Sequence, residues 1–427
     1  MNSTAENTRR GTGLPPPTRP PSIDELDVNV GFLSELALKI VSLSAECTTA
    51  SVSSRLKLGI IETEALLQRL VDQRLIEVKG LIGLSNHRYT MLERGWQKVD
   101  RLTRLSNYVG PAPVSLEAYA ERIVEQVRTR PRVRRAALDA ALSGLVLSET
   151  TRETLLLVAS SGRSLFLSGP PGNGKTAMAR ALADAIPGHV WIPYAIEVDG
   201  QVLRVFDKHW HQPVDDNGAH EFDERWVKIR PPLIVVGGDL TLENLELVNS
   251  DAQRFYEAPF QVKANGGVLV IDDLGRQRCS ARELLNRWIV PLEYRVDYLT
   301  LGTGKKIQIP FETIVIFATN LTDSDLVDEA FMRRMGYRLS VKPPSEEIYR
   351  QIFNNYAQAR HLSASPELVG RALQRYRDEQ RIPKCCEPRD LIERMLDRCK
   401  ARKKQPSLTE RGLDAVWTSY FGTNGDL

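Results

Sequence analysis

Eight residues constrain this chain more than any other segment: Gly169, Pro170, Pro171, Gly172, Asn173, Gly174, Lys175 and Thr176. They fit the spacing G-x-x-x-x-G-K-[ST]. They follow the apolar run SLFLS (164–168) and open the helix-forming stretch TAMARALADAI, which stops at Pro187-Gly188. Strand, glycine loop and helix in that order make a cradle for phosphate. The glycines let backbone N–H groups turn inward, and the helix start adds its positive dipole end. Lys175 would neutralise charge between β- and γ-phosphates, and Thr176 would offer its hydroxyl to Mg2+. A chance glycine-rich turn has no reason to match every fixed position in this context, so ATP with Mg2+ is the expected ligand.

A second motif fits the first. Val268-Leu269-Val270-Ile271-Asp272-Asp273 reads as a buried strand ending in carboxylates. It would set Asp272 at the sheet edge beside the Mg2+, and Asp273 would orient or deprotonate an attacking water. Taken alone, two acids could be a polar strand exit; after a phosphate loop they read as a metal and water site. SLFLS, GVLVI (267–271) and TIVIFAT (313–319) are short apolar runs of the kind that form buried parallel strands.

The rest of the chain divides around this core. Residues 1–28 hold five prolines between Pro15 and Pro21 and little that can be buried, which predicts a disordered tail. Over 29–105, three helical patterns precede LIEVKG (75–80) and HRYTML (87–92), a strand pair, and a helix from about Arg94 to Leu105. Three helices and a two-stranded wing resemble a winged helix-turn-helix domain. Residues 106–144 read as a Pro/Gly linker and two helices, with Arg128, Arg130, Arg132, Arg134 and Arg135 in a solvated turn. The α/β unit spans 145–342, and 343–427 reads as helices only. Ser345 and Ser365-Pro366 start the first two of these, Pro388 a third, and Ser407 with Glu410 a capping box for the last.

The order of phosphate loop, IDD, IVIFATN, DEAFMRRM and EPRDL resembles the AAA+ ATPases over about residues 145–400. The resemblance implies a P-loop NTPase α/β fold, a parallel sheet with a C-terminal helical lid, here preceded by the winged helix-turn-helix domain. It implies an ATPase that turns Mg-ATP into ADP and phosphate. By the same likeness Asn320 is the sensor-1 residue, holding the lytic water with Asp273. Arg333 and Arg334 stand at the arginine-finger position, and Arg389 at sensor 2. A finger acting in trans implies a homo-oligomer, expected as a hexameric ring. AAA+ enzymes usually carry Asp-Glu where this chain has Asp272-Asp273, so slow hydrolysis is an open expectation. A strand pair around Gly302-Thr303-Gly304, just before the sensor-1 strand, resembles the MoxR-like helper group, and Asp199-Gly200 signals an inserted hairpin.

Other signals are weaker. His209, His211 and His220, with Asp215 and Asp216, read as a surface loop rather than a zinc site, and Cys385-Cys386 as no redox pair. Five cysteines without a CxxC pair, and no leader-like or membrane-length apolar run, suggest a cytoplasmic protein without membrane insertion. The net charge of +3 does not demand nucleic acid. In the winged helix, Glu62 and Glu64 sit where a recognition helix would meet phosphates, against only Lys79, His87 and Arg88 on the wing. Docking to a protein partner is the favoured role. DNA binding stays open through Arg55 and Lys57. The alternatives to a remodelling motor are an ATP-gated assembly switch and a DNA-binding regulator with little turnover.

Overall fold

The computed structural model describes residues 14–82, 86–215, 222–249, 254–320 and 329–422. The N-terminal unit runs α1 (Val30–Val41), β1 (Cys47–Thr48), α2 (Thr49–Leu56), α3 (Ile60–Asp72), β2 (Ile76–Ile82), β3 (Asn86–Met91) and α4 (Glu93–Leu105). The Asn29 side chain caps α1 by accepting from the Gly31 and Phe32 N–H groups. Thr48 and Ser51 close a reciprocal box on α2. Leu33, Leu36 and Ile40 of α1 meet Leu66, Leu67 and Leu70 of α3 at helical spacing, all fully buried. Each such side chain contributes about 1.5–3 kcal/mol on leaving water. The expected helices and strand pair are present; the two-residue β1 adds a third strand in the order β1-β3-β2.

Residues 14–28 differ from expectation. They are ordered against the body. The Pro17 carbonyl accepts from Asp223 N at 2.9 Å, Arg122 donates to the Pro15 carbonyl, and Val28 is buried in the N-terminal core. Proline arrives with φ already fixed, so ordering this stretch costs less than for other residues. Residues 1–13 lie outside the described residues.

β4 (Val114–Ser115), α5 (Leu116–Thr129), α6 (Arg135–Ala141) and α7 (Glu149–Ser161) lead into β5 (Leu165–Ser168) and α8 (Lys175–Asp184). An insert follows, with β6 (Val190–Pro193), β7 (Ala195–Val198), β8 (Gln201–Arg204) and β9 (Trp226–Ile229). Then come β10 (Leu233–Val236), β11 (Val248–Asn249), β12 (Tyr256–Glu257), α9 (Phe260–Lys263) and β13 (Val268–Ile271). Helices α10 (Ala281–Arg287) and α11 (Ile289–Tyr294) precede a hairpin of β14 (Val296–Thr300) and β15 (Lys306–Pro310). β16 (Ile314–Thr319), α12 (Glu329–Arg334) and β17 (Tyr337–Ser340) complete the unit. The central sheet has the order β10-β13-β16-β5-β17, and every neighbouring pair is parallel. Side chains alternate across it. Leu165, Leu167, Val268, Val270 and Ile316 face the α6–α8 layer. Phe166, Leu269, Ile271, Val315 and Phe317 face Trp288 and Phe331 on the other side. Burial on both faces explains why these strands read as unbroken apolar runs.

Both expected hairpins form. Asp199 (φ 57°) and Gly200 (φ 78°) supply the two positive φ values that a two-residue turn between β7 and β8 needs. β14 pairs with β15 just before β16. β7 and β8 of the insert form a second sheet with β4, β11 and β12, in the order β11-β12-β8-β7-β4. Ala195 and Val202 of that sheet belong to the same apolar cluster as the N-terminal helices, and Tyr108 stacks edge-on against Phe255.

The arginine stretch is not uniformly solvated. Arg130 is half-buried and donates to the Gly266 carbonyl at 2.6 Å, and desolvation pulls its guanidinium down to about 10. The linker turn is thereby stitched to the sheet. At the C-terminal end, α13 (Glu346–Ala359), α14 (Pro366–Asp378), α15 (Glu387–Ala401) and α16 (Glu410–Phe421) pack around their own core of Tyr349, Phe353, Tyr376 and Trp417. Ser345 and Ser365 cap α13 and α14 as expected. α16 does not use the Ser407–Glu410 box. Its first residue is Glu410, so Thr409 takes the capping position, and the Ser407 carbonyl accepts from the Cys399 thiol. Among the described residues no helix is long and apolar enough to cross a membrane.

Candidate functional site

The phosphate-loop motif joins β5 to α8 at the carboxyl edge of the central sheet. Gly169 (φ 139°), Gly172 (φ 82°) and Gly174 (φ 83°) all take backbone angles that L side chains resist. Lys175 is the first residue of α8. Its ammonium donates to the Gly169 carbonyl (2.7 Å), the Pro170 carbonyl (3.1 Å) and Asn320 Oδ1 (2.7 Å). Desolvation lowers its pKa, and the carboxylates of Asp272 and Asp273 oppose that shift.

Thr176 Oγ1 donates to Asp272 Oδ2 at 2.6 Å. A hydroxyl and a carboxylate in contact are the hard oxygen donors that Mg2+ takes, so this pair fits the implied ion. Asp273 is reached by the other end of the same amide that binds Lys175: Asn320 Nδ2 donates to Asp273 Oδ1 at 2.9 Å. The chain passes through Asp273 with φ 50°. Lys175, Thr176, Asp272, Asp273 and Asn320 are therefore one connected set, assembled from the start of α8 and the ends of β13 and β16.

The helical unit reaches the loop through backbone rather than through Arg389. Cys386 N donates to the Gly172 carbonyl at 2.9 Å, and Cys385 N to Asn173 Oδ1 at 3.1 Å. Arg389, one turn into α15, pairs with Asp390 Oδ1 at 2.9 Å and leaves 59% of its side chain exposed. Arg334 is tied to Glu293 at 2.7 Å. Arg333, beside it at the end of α12, is exposed. Sequence reasoning missed Asn173 as a tie to α15, because it occupies a variable position of the motif. It also missed Gln277, whose side chain binds the Asp272 and Asp273 carbonyls, because no motif marks it.

His211 is 1% exposed. Its Nδ1 accepts from Asp207 N (3.0 Å) and its Nε2 meets the Lys263 carbonyl (2.9 Å). Both ring nitrogens are used internally, so it is a core histidine rather than part of a surface loop. His209 stacks edge-on against Trp210; Asp216 and His220 lie outside the described residues. Among the described residues no group of three or more His, Cys, Asp or Glu side chains is placed to hold a metal. All five cysteines are free.

Glu62 does not face outward at the start of α3. Only 7% of its side chain is exposed, and Arg19 Nη2 donates to it at 2.7 Å. Arg19, Lys57, Gly59 and Glu62 line one cavity with Phe222, Asp223 and Glu224. Glu64 pairs with His87 of the wing at 3.2 Å.

A five-stranded parallel sheet with a glycine loop at the end of β5 and paired acids at the end of β13 defines a nucleotide-binding α/β domain of the phosphate-loop class. Residues 165–343 match the model of the ATPase family associated with various cellular activities (AAA), and the chain carries an AAA domain over that span. Residues 345–419 match a domain of unknown function (DUF8689). Among solved structures the chain is similar to the RuvB Holliday junction branch migration motor of Thermotoga maritima, at 15% identity over 68% of this chain and 72% of that one, with TM-score 0.36. It is also similar to NtrX of Brucella abortus in complex with ADP, at 16% over 68% and 60%, with TM-score 0.41. A third is domain III of the Thermotoga maritima replication initiation protein DnaA, at 13% over 67% and 98%, with TM-score 0.38. No curated protein matches the chain.

Proposed function

We propose that this chain is an ATPase that hydrolyses Mg-ATP to ADP and phosphate and uses the cycle to remodel a protein partner. The observation that carries the reading is the Asn320 amide, which contacts Lys175 on one side and Asp273 on the other. One side chain thereby links the group that would bind the γ-phosphate to the acid that would prepare water. The backbone N–H groups of 172–176 would bind the phosphates, and Lys175 Nζ leaves its loop carbonyls to neutralise them. Thr176 and Asp272 would hold Mg2+, which would supply charge withdrawal from the phosphate oxygens. Asp273 accepts a proton from the attacking water, and the Asn320 amide fixes the carboxylate that does so.

Arg333, exposed at the end of α12, is assigned as the finger toward a neighbouring subunit. Arg389 would report nucleotide to the helical unit after releasing Asp390. A finger acting in trans requires a neighbour, so a homo-oligomeric, hexameric ring completes the reading. The five free thiols fit a cytoplasmic setting. The winged helix is read as a docking module. The N-terminal turn of a recognition helix must reach bases to read DNA, and here Glu62 of that turn is bonded to Arg19 and lines a cavity with residues 222–224.

Phosphate release by the full-length protein over a concentration series tests this. Turnover should rise cooperatively and vanish in Lys175→Ala and Asp273→Asn. Arg333→Ala should also abolish it. Mixing that variant with Lys175→Ala should restore part of the rate, since each supplies what the other lacks. Nucleotide binding without turnover would instead favour an ATP-gated assembly switch. A concentration-independent rate from a monomer would sink the trans finger.

A further inference from the structure

The turn that follows β13 carries more hydrogen bonds than a chain reversal requires. Leu274 N donates to the Ala318 carbonyl at 2.8 Å, and Arg276 N to the Asp273 carbonyl at 3.0 Å. Thr319 Oγ1 donates to the Leu274 carbonyl at 2.9 Å. The Gln277 side chain fills the inside of the turn. Its Nε2 donates to the Asp272 carbonyl (2.9 Å) and the Asp273 carbonyl (3.2 Å), while its Oε1 accepts from Gly275 N (2.7 Å). Both donors and the acceptor of one amide are therefore spent on the three residues around Asp273.

What they hold is a left-handed backbone at Asp273, φ 50°. That conformation is disfavoured for an L residue and persists only where the surroundings over-determine it. Its effect is on reach. Aspartate is one methylene, about 1.5 Å, shorter than glutamate. From this backbone the Asp273 carboxylate nevertheless lies 2.9 Å from the Asn320 amide.

We propose that Gln277 is a positioning residue for Asp273: it locks the left-handed turn that brings the short acid to Asn320 and so compensates for the missing methylene. The proposal rests on the ATPase reading above. Gln277 touches neither phosphate nor water in it and acts through the backbone of Asp272 and Asp273. An amide that merely tidied the loop would affect folding without affecting turnover in this selective way.

The test uses full-length protein, phosphate release, binding of a fluorescent ATP analogue, and hydrogen exchange of the peptide covering 272–278. Gln277→Ala should lower kcat by about 10- to 100-fold, the loss expected when a reacting group is displaced by about 1 Å, with nucleotide affinity unchanged. Gln277→Glu should be as impaired, since it keeps the acceptor for Gly275 and loses both donors. Exchange across 272–278 should rise in both. Asp273→Glu added to Gln277→Ala should recover much of the rate, because the longer acid does not depend on the turn. Wild-type kcat in Gln277→Ala, unchanged exchange, or no recovery with glutamate would each overturn the proposal. A wild-type protein that binds the analogue without turnover would overturn the ATPase reading alone, and the exchange result would still decide whether Gln277 sets the turn.

Discussion

Three glycines of one loop should respond to alanine in three different ways. Gly174 has φ 83° with no atom within 4 Å of an added Cβ. Gly174→Ala therefore costs only the left-handed backbone, about 1–2 kcal/mol. Gly172 has nearly the same φ, 82°, but its Cβ would lie 2.7 Å from Cys386 Sγ and 3.3 Å from Lys384 Cδ. Gly172→Ala adds an overpacking cost of about 1–2 kcal/mol and pushes the start of α15 off the loop. Gly169 faces the Val341 carbonyl, which overlaps an added Cβ. Val341 is fixed in turn by its N–H donating to the Ser168 carbonyl at 2.8 Å. Backbone cannot rotate away as a thiol can, so Gly169→Ala should cost more than about 4 kcal/mol, beyond the ordinary range for one substitution. The assay is urea unfolding of each variant with hydrogen exchange of residues 384–391 as the local readout. The decisive control is Cys386→Ala. It should recover the steric part of Gly172→Ala and return exchange at 384–391 to the wild-type level, and leave Gly174→Ala unchanged. Equal costs at all three glycines, or rescue of both Gly172→Ala and Gly174→Ala, would show that backbone strain alone matters and that the contact with α15 is inert.

Two further outcomes are expected. Burial, aided by the nearby Lys263 ammonium and opposed by Asp207 and the Lys263 carbonyl, holds the His211 pKa below its ordinary 6.5. The unfolded chain then takes the proton more readily. His211 stabilises fully above pH 6.5, and that part is lost as pH falls toward the depressed value, at no more than about 1.4 kcal/mol per pH unit; a His211→Gln variant with an unchanged slope between pH 7 and 5 would refute this. Arg19→Ala should cost about 1–2 kcal/mol, discounted for the 39% exposure of the Arg19 side chain, because it leaves the buried Glu62 carboxylate unpaired. Limited proteolysis should then cut faster within 14–28, and an unchanged cleavage rate would argue against this strap.

The sequence was most readable where chemistry and periodicity act locally. A loop such as 169–176 has to be written in consecutive residues, because its own backbone makes the cradle. Asp199-Gly200 was legible for the same reason, since two positive φ values need those residue types side by side. The strands alternate between two buried faces, so their apolar runs announced the parallel sheet. What was not legible depends on partners distant in sequence. Nothing near Pro17 reveals that its carbonyl meets Asp223 N, so a proline-rich stretch read as disordered. Nothing near Arg130 reveals the Gly266 carbonyl to which it donates. Glu62 read as an exposed repulsive charge because its partner, Arg19, lies 43 positions away. Capping of α16 failed by two residues because Ser407 and Thr409 are both competent caps, and only packing of the helix chooses between them.

The joint core of the N-terminal helices with Ala195 and Val202 of the β7–β8 hairpin has a consequence for inheritance. An added domain strung on a tether can be gained, lost or exchanged without disturbing its host. This N-terminal unit cannot. Removing it would leave the hairpin with a wet apolar face, and removing the hairpin would open the side of Leu33, Leu66 and their neighbours. The two segments, far apart in the chain, are bound to be kept or discarded together, so a related protein that has one without the other should show new polar residues on the face left bare.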